Sequence, residues 1–183
     1  LEQNFSGINS QYAVRWGAIL NTSYKIGSNS KISLKNSYVL NSKDESQSLE
    51  GYFIPQDYDR KLFSTKFSEK TVFSTLLEGS HYINDLNKIN FTWRGSYSES
   101  YSNEPDRKTM TYQRQRGTSD PFAAPIAVTN NPSINSGGRF FSDLNDFNRS
   151  FESNIEMPLH IIKGIDSKTK FGVYANGKQR SFN

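Results

Sequence analysis

Cysteine is absent from this chain of 183 residues, which excludes disulfides, thiolate catalysis and zinc–thiolate sites. Long apolar runs are absent too. No stretch approaches the ~20 apolar residues of a membrane helix, and the mean hydropathy is −0.73, so an α-helical membrane protein is excluded. The net charge of +4 is scattered, with no run of five or more basic residues, so we expect no nucleic-acid partner.

Motifs that carry catalysis are also missing. The chain contains no G-x-S-x-G elbow, no P-loop and no dinucleotide-binding fingerprint, and nothing places two carboxylates across a cleft. We therefore predict no catalytic residue, no cofactor and no enzymatic activity. His81 and His160 lie far apart and are interpreted as structural. The acidic segments 57–59 and 143–146 lack the full oxygen-ligand pattern of a Ca²⁺ site, so no metal site is predicted.

Large aromatic residues compensate for a low hydrophobic content. Hydrophobic residues make up 34% of the chain, but aromatic residues alone make up 14%, with 13 Phe and 10 Tyr. Disordered chains are poor in aromatic residues. The composition therefore indicates a folded chain whose apolar groups are large, sparse and regularly spaced.

Period-two alternation of apolar and polar residues dominates the sequence. Its clearest case is 88–101, where five of the seven odd positions are apolar or aromatic and the even positions are polar. Such a strand places one face in an apolar medium and the other in water. We predict six strands in an all-β, antiparallel, up-and-down arrangement, at about 15–26, 31–41, 62–83, 88–101, 146–162 and 168–183.

The predicted connections alternate between short turns and long loops. Short turns lie near residues 27–30, 84–87 and 163–167, and long polar loops are predicted at about 42–60 and 102–145. Transmembrane β-strands need ~9–11 residues and have short turns on one side of the membrane and longer loops on the other. The pattern therefore favours part of a transmembrane β-barrel. A soluble β-sandwich with long hairpins remains the alternative.

Five segments carry a more specific likeness. They are Thr75–His81, Ile89–Ser98, Glu104–Arg107, Lys170–Tyr174 and Lys178–Phe182. Their order resembles the barrel of TonB-dependent outer-membrane receptors of the Bacteroidetes type. In that family a Gly-x-His strand turns into a Trp-x-x-x-Tyr-Ser strand leading to a Pro-Asp loop, and a Lys-x-Gly strand ends in Lys-x-Arg-x-Phe.

The resemblance covers the chain from about residue 16 to 183 and implies a barrel of about 22 strands with an N-terminal plug. Residues 1–183 would form a partial barrel domain with about six of those strands and no plug. The implied function is energised uptake of a large or scarce ligand across the cell outer membrane. The implied partners are outer-membrane lipid, the TonB complex through parts absent from this chain, and a possible surface lipoprotein. A small eight-stranded barrel is the competing membrane interpretation.

The barrel interpretation assigns roles to individual side chains. Six strands are too few to close around a transport lumen, because ~8 strands form the smallest common barrel. Aromatic girdle candidates are Trp16, Tyr24, Tyr38, Trp93, Tyr97 and Tyr101. Cations expected to face the lumen are Arg15, Lys25, Lys66, Arg94, Lys170 and Arg180. The ligand-binding residues remain unknown, with 117–138 as the candidate contact segment.

A second hypothesis is a soluble or surface-attached β-rich binding module, such as a glycan-binding or adhesin-like sandwich. The surroundings of Phe91, Trp93 and Phe171 discriminate between the two hypotheses. A packed core against these rings supports the module, and an outward-facing band supports the barrel.

Overall fold

The computed structural model describes residues 3–84, 88–125, 137–159 and 167–183. The described chain forms one antiparallel sheet in the order β1-β2-β3-β4-β5-β6, with each strand paired to its sequence neighbour. The bounds are β1 Gln3–Ile26, β2 Ser30–Phe53, β3 Tyr58–Ile83, β4 Ile89–Gln115, β5 Gly137–Leu159 and β6 Ser167–Phe182. A single 3₁₀ turn, Ile54–Gln56, separates β2 from β3.

The all-β class and the six up-and-down strands are confirmed. The sheet is open in the described part of the chain, because β1 and β6 each pair with one neighbour only. None of the described segments forms a helix that is long and apolar enough to cross a membrane.

Tight turns join the strands where the backbone adopts left-handed conformations. Gly27 (φ 64°) closes the β1–β2 hairpin, a conformation that glycine adopts without steric cost. Asp57 (φ 52°) ends the 3₁₀ turn, and its N–H donates to the Ile54 carbonyl at 3.1 Å. Asp tolerates this region better than most residues.

The predicted long loops are the main error of the sequence analysis. The predicted loop 42–60 is mostly strand, because β2 continues to Phe53 and β3 begins at Tyr58. The predicted loop 102–145 is also largely strand, since β4 continues to Gln115 and β5 begins at Gly137. Likewise, β1 begins at Gln3 instead of residue 15. In these extensions both faces of the sheet carry polar residues, so the alternation that identifies a half-buried strand is missing.

Pro105 lies inside β4, at a point where we predicted that the strand had ended. The pairing register shifts against β3 between Thr65 and Glu69, and against β5 between Glu104 and Arg107. Both shifts place one extra residue in β4, which is a β-bulge. Proline has no N–H for the ladder and is tolerated at such a bulge, so the strand continues beyond it.

In the half of the sheet near the short turns, the register brings most of the apolar residues of all six strands onto one face, although Ile19 and Leu76 lie on the other. Directly opposed residues share a face, so the chain of partners Tyr24–Ile32–Gly79–Trp93–Ser153 lies on one side of the sheet. From the short turns to the level of Trp16 and Tyr101, the apolar members of this face are Trp16, Ala18, Leu20, Tyr24, Ile26, Ile32, Leu34, Tyr38, Leu40, Phe73, Leu77, Ile83, Ile89, Phe91, Trp93, Tyr97, Tyr101, Phe147, Phe151, Ile155, Met157, Leu159, Phe171, Val173 and Ala175. The described residues contain no buried hydrophobic side chain, and the exposed fraction of Phe171 is 62%.

Candidate functional site: the two faces of the sheet and the loop tip

The aromatic residues of the apolar face form two rows that cross the sheet. One row contains Trp93 and Tyr24, near the short turns, and the other contains Trp16 and Tyr101. Along β4 the rows are eight residues apart, or about 26 Å at ~3.3 Å per residue. Tyr38 lies two residues from the second row along β2, on the side of the short turns, and its ring centroid is 5.2 Å from that of Trp16.

Tyr97 does not fit either row. It lies on the same face, midway between Trp93 and Tyr101, so its position does not support a girdle role. Its hydroxyl donates to Glu99 Oε2 at 3.0 Å, and the Arg149 guanidinium carbon lies 5.9 Å from its ring centroid. Glu99 and Arg149 are thus the charged residues that interrupt the apolar band between the two rows.

A hydrogen-bonded cluster fixes the row near the short turns. The Trp93 indole N–H donates to His81 Nε2 at 3.0 Å, and His81 Nδ1 lies 3.0 Å from the Ser30 hydroxyl. The His81 ring stacks on Phe91 with centroids 6.0 Å apart. The indole covers Gly79, where a Cβ would collide with its ring atoms. These contacts agree with the structural interpretation of His81, and His160 lies outside the described residues.

The opposite face carries a network of polar side chains. Hydroxyl pairs join Ser37 to Ser74 at 2.7 Å and Ser96 to Ser150 at 2.6 Å. The ion pair Arg94–Glu152, at 2.7 Å, links β4 to β5. All six cations predicted for the lumen lie on this face: Arg15, Lys25, Lys66, Arg94, Lys170 and Arg180. The six cations therefore share one face of the sheet, and their facing a lumen stays a prediction.

A shallow cavity of about 350 Å³ opens near the short-turn end of the sheet. Lys31, Glu78, Thr92, Arg94 and Asn154 line it. The lining offers charged and hydrogen-bonding groups of both signs, so the cavity suits a polar ligand better than an apolar one.

The far ends of the strands form a charged extension. Asp106 receives two hydrogen bonds from Arg139, each 2.8 Å long, and Lys108 Nζ lies 3.1 Å from it. Hydrogen bonding by Arg139, with Lys108 beside it, lowers the pKa of Asp106 to about 2. Partial burial acts to raise the pKa of Glu104, but Arg107 and Lys66 outweigh it and leave that pKa below its usual value.

The beginning of the predicted ligand-contact segment folds back on the sheet. Gln113 and Ala123 exchange two backbone hydrogen bonds of 2.9 Å, which place Phe122 over the ends of β3 and β4. The Phe122 ring centroid lies 4.6 Å from the Arg114 guanidinium carbon and 5.0 Å from Lys61 Nζ. We define Phe122 with Lys61 and Arg114 as the cation–aromatic clamp. Residues 126–136 of the predicted segment lie outside the described residues.

The acidic segments do not assemble a cation site in the described part of the chain. Asp59 pairs with Arg114 at 3.3 Å, and Asp146 pairs with Lys178 at 3.3 Å and with Arg180. No group of three or more potential metal ligands occurs there. Sequence reasoning missed the clamp and the Asp106–Arg139 pair, because both depend on strand pairing within stretches that look like loops.

Comparison with known proteins adds no family assignment: no protein-family model matches the chain, and no curated protein matches it significantly.

Proposed function

We propose that this chain is a section of the wall of an outer-membrane β-barrel transporter of the TonB-dependent kind, which takes up a large or scarce ligand. The observation that carries the proposal is the single apolar face, which extends across all six strands and is interrupted between the aromatic rows by the charged residues Glu99 and Arg149. Soluble proteins rarely expose an apolar surface of this extent unless something covers it.

The dimensions of the apolar face support lipid as the covering medium. Transmembrane barrels carry an outward apolar band ~25 Å tall between two aromatic girdles. The two aromatic rows lie about 26 Å apart along the strands, and tilting reduces this spacing to about 20 Å across a bilayer. Beyond the second row polar and charged residues occur on both faces, as expected for walls that rise above the lipid into water, although Tyr12, Phe63 and Phe67 still lie on the apolar side.

The open edges support membership of a larger barrel. Inside lipid every backbone N–H and C=O needs a partner, so a sheet that crosses a membrane must close. The unpaired edges of β1 and β6 then pair with further strands of the same protein. Outer-membrane lipid is the partner of the apolar face, and the energy-coupling complex acts through other parts of the receptor.

Single-cysteine labelling of the full-length gene product in its membrane tests the proposal. Three positions of β3 are compared: Thr75→Cys on the apolar face within the band, Ser74→Cys on the polar face, and Thr65→Cys on the apolar side of the extension. A charged maleimide should label Ser74→Cys and Thr65→Cys and spare Thr75→Cys. A nitroxide lipid should quench a fluorophore at Thr75→Cys alone.

Recovery of the full-length protein in the soluble periplasmic fraction, or no lipid quenching at Thr75→Cys, contradicts the proposal.

A second candidate function, a soluble or surface-attached glycan-binding or adhesin-like module, is favoured by one observation. Glu99 and Arg149 lie within the apolar band, where lipid contact is costly and a protein partner would be less so.

A further inference from the structure

The charged residues are divided unequally between the two faces of the sheet. The register places fourteen Lys and Arg residues on the polar face: Arg15, Lys25, Lys31, Lys35, Lys43, Arg60, Lys66, Lys70, Arg94, Arg107, Lys168, Lys170, Lys178 and Arg180. Six carboxylates share that face: Glu45, Glu78, Glu104, Asp146, Glu152 and Glu156. The polar face therefore carries a net charge of +8 among the described residues, although the whole chain carries only +4.

The carboxylates of the polar face are already neutralised by neighbouring cations. Each of the six lies within 4.0 Å of a Lys or Arg nitrogen, as in the pairs Lys35–Glu78 (2.6 Å) and Lys168–Glu156 (3.1 Å). Within the described residues, six cations of this face have no carboxylate at that distance: Arg15, Lys25, Lys31, Arg60, Lys70 and Lys170. We call these six the free cations.

The free cations lie close to one another in places where repulsion is costly. Lys25 is directly opposite Lys31 in the β1–β2 hairpin. Arg15 and Lys70 flank Asn41 from two sides, and Arg15 Nε donates to the Asn41 amide oxygen at 2.6 Å. Like charges placed directly across a sheet destabilise it. Negative charge supplied from outside these strands would relieve this repulsion.

We propose that the polar face guides a polyanionic ligand, one that bears several sulfate, phosphate or carboxylate groups, through the lumen. This inference rests on the proposed function, because only a barrel turns the polar face into the wall of an enclosed path. Low-dielectric walls lined by one sign of charge focus the electric field and raise the local concentration of the opposite ion.

The distribution of the free cations favours a moving ligand over a fixed acidic domain. They begin at Lys25 and Lys31 beside the short turn and end at Arg60 beside the 3₁₀ turn. Along β2 these two levels are 20 residues apart, or about 65 Å at ~3.3 Å per residue. A folded domain seated at one level would neutralise one part of this distance, whereas a ligand in transit meets the whole of it.

Binding of labelled dextran sulfate to the full-length protein in lipid nanodiscs tests the inference, with uncharged dextran of equal length as the reference probe. The double variant Lys31→Gln/Lys70→Gln removes two free cations from the polar face. The matched control Lys108→Gln/Arg149→Gln removes the same charge from the opposite face. We expect the first variant to weaken dextran sulfate binding about tenfold, and the control less than twofold.

Salt supplies a second readout. Raising the ionic strength from about 0.01 M to 0.15 M shortens the Debye length from ~30 Å to ~8 Å, and should weaken binding of the sulfated probe but not of the neutral one. Equal losses in the two variants, or equal binding of the two dextrans, would overturn the inference. If the single-cysteine labelling of β3 shows a lipid-facing wall and dextran sulfate still does not bind, the inference of a polyanionic ligand is wrong and the proposed function stands. Crosslinking of Lys31→Cys to an acidic domain of the same protein would likewise overturn it.

Discussion

The two ends of the sheet use the same backbone ladder in two different surroundings. Near the short turns, one face is apolar and the other polar, and most contacts on the polar face are hydroxyl pairs and isolated ion pairs. In the extension beyond Trp16 and Tyr101, both faces are charged, and cations stack on aromatic rings, as Arg107 does on Phe140 at 4.9 Å. Hydrogen bonds between strands therefore extend the sheet through both ends, while the types of side chain differ with the surroundings of each end.

The two ends also differ in the contacts that stabilise their side chains. The band has no packed core of its own among the described residues, so under the proposed function its apolar face is stabilised by the lipid that covers it. The extension instead satisfies its side chains internally through pairs such as Asp106–Arg139 and the cation–aromatic clamp. Changes on the apolar face should consequently have large effects on stability, and changes in the extension small ones.

The largest expected effect comes from a charge placed on the apolar face. Leu76 and Leu77 are neighbours in β3 whose side chains lie on opposite faces, with Leu77 on the apolar one. Under the proposed function, Leu77→Arg should destabilise the full-length protein by about 2–3 kcal/mol, because Arg costs about 2–4 kcal/mol at the bilayer midplane and less toward the aromatic rows. Leu76→Arg is the matched control and should cost much less. Urea unfolding in lipid vesicles measures both, and equal costs would remove the distinction between the two faces.

A smaller effect is expected where glycine makes room for an indole. Gly79→Ala places a Cβ against the Trp93 ring and should cost about 1–3 kcal/mol. Gly95→Ala is the control. Gly95 lies on the same face of the sheet, in β4, and no atom lies within 4 Å of the added Cβ. Unfolding midpoints of the two variants, measured in the same vesicles, give the comparison. A Gly79→Ala protein as stable as Gly95→Ala would show that the indole does not rest on this glycine.

Sequence reasoning identified the faces of the sheet because period two depends on only one property, a difference in surroundings between its sides. Trp93, Phe91 and Leu77 fall on the predicted face for this reason. The ends of the strands were not predictable in the same way. The segments 42–53 and 102–115 carry polar residues on both faces, such as Asp44 and Asn103. The composition of these segments therefore matches that of a loop, although their backbone is paired. Pro105 added a second false signal, since a bulge absorbs it.

The side-chain contacts of the extension could not be predicted from the sequence for a different reason. Asp106 and Arg139 are 33 residues apart, and they meet only because β4 and β5 pair beyond the bulge in a shifted register. Phe122 reaches Lys61 only because the chain after β4 turns back through Gln113 and Ala123. Register and bulge position are long-range properties that a single sequence does not specify.

Loss of the clamp should loosen the loop and leave the sheet intact. Phe122→Ala removes two cation–aromatic contacts, each worth about 0.5–1 kcal/mol at an exposed site. Amide hydrogen exchange at Ala123 should therefore accelerate by about tenfold, while exchange in the centre of β4 stays unchanged. Phe141→Ala serves as the control, because it removes a cation–aromatic contact with Arg139 inside β5 and not one of the two that hold Phe122. Unchanged exchange at Ala123 would show that the backbone bridge to Gln113 suffices to hold the segment.

The smallest expected effect is a pH-dependent one in the extension. The folded pKa of Asp106, about 2, lies below the ~3.9 of an unfolded Asp, so its ionised form stabilises the fold. This contribution is fully present above about pH 4 and is lost as the pH falls from about 4 to about 2. Asp106→Asn should therefore be less stable than the parent at pH 6, and the two should converge near pH 2. Parallel unfolding curves at both pH values measure the gap. A gap that persists at low pH would mean that Asp106 acts through packing at the bulge, and its ion pair with Arg139 would then contribute nothing to the extension.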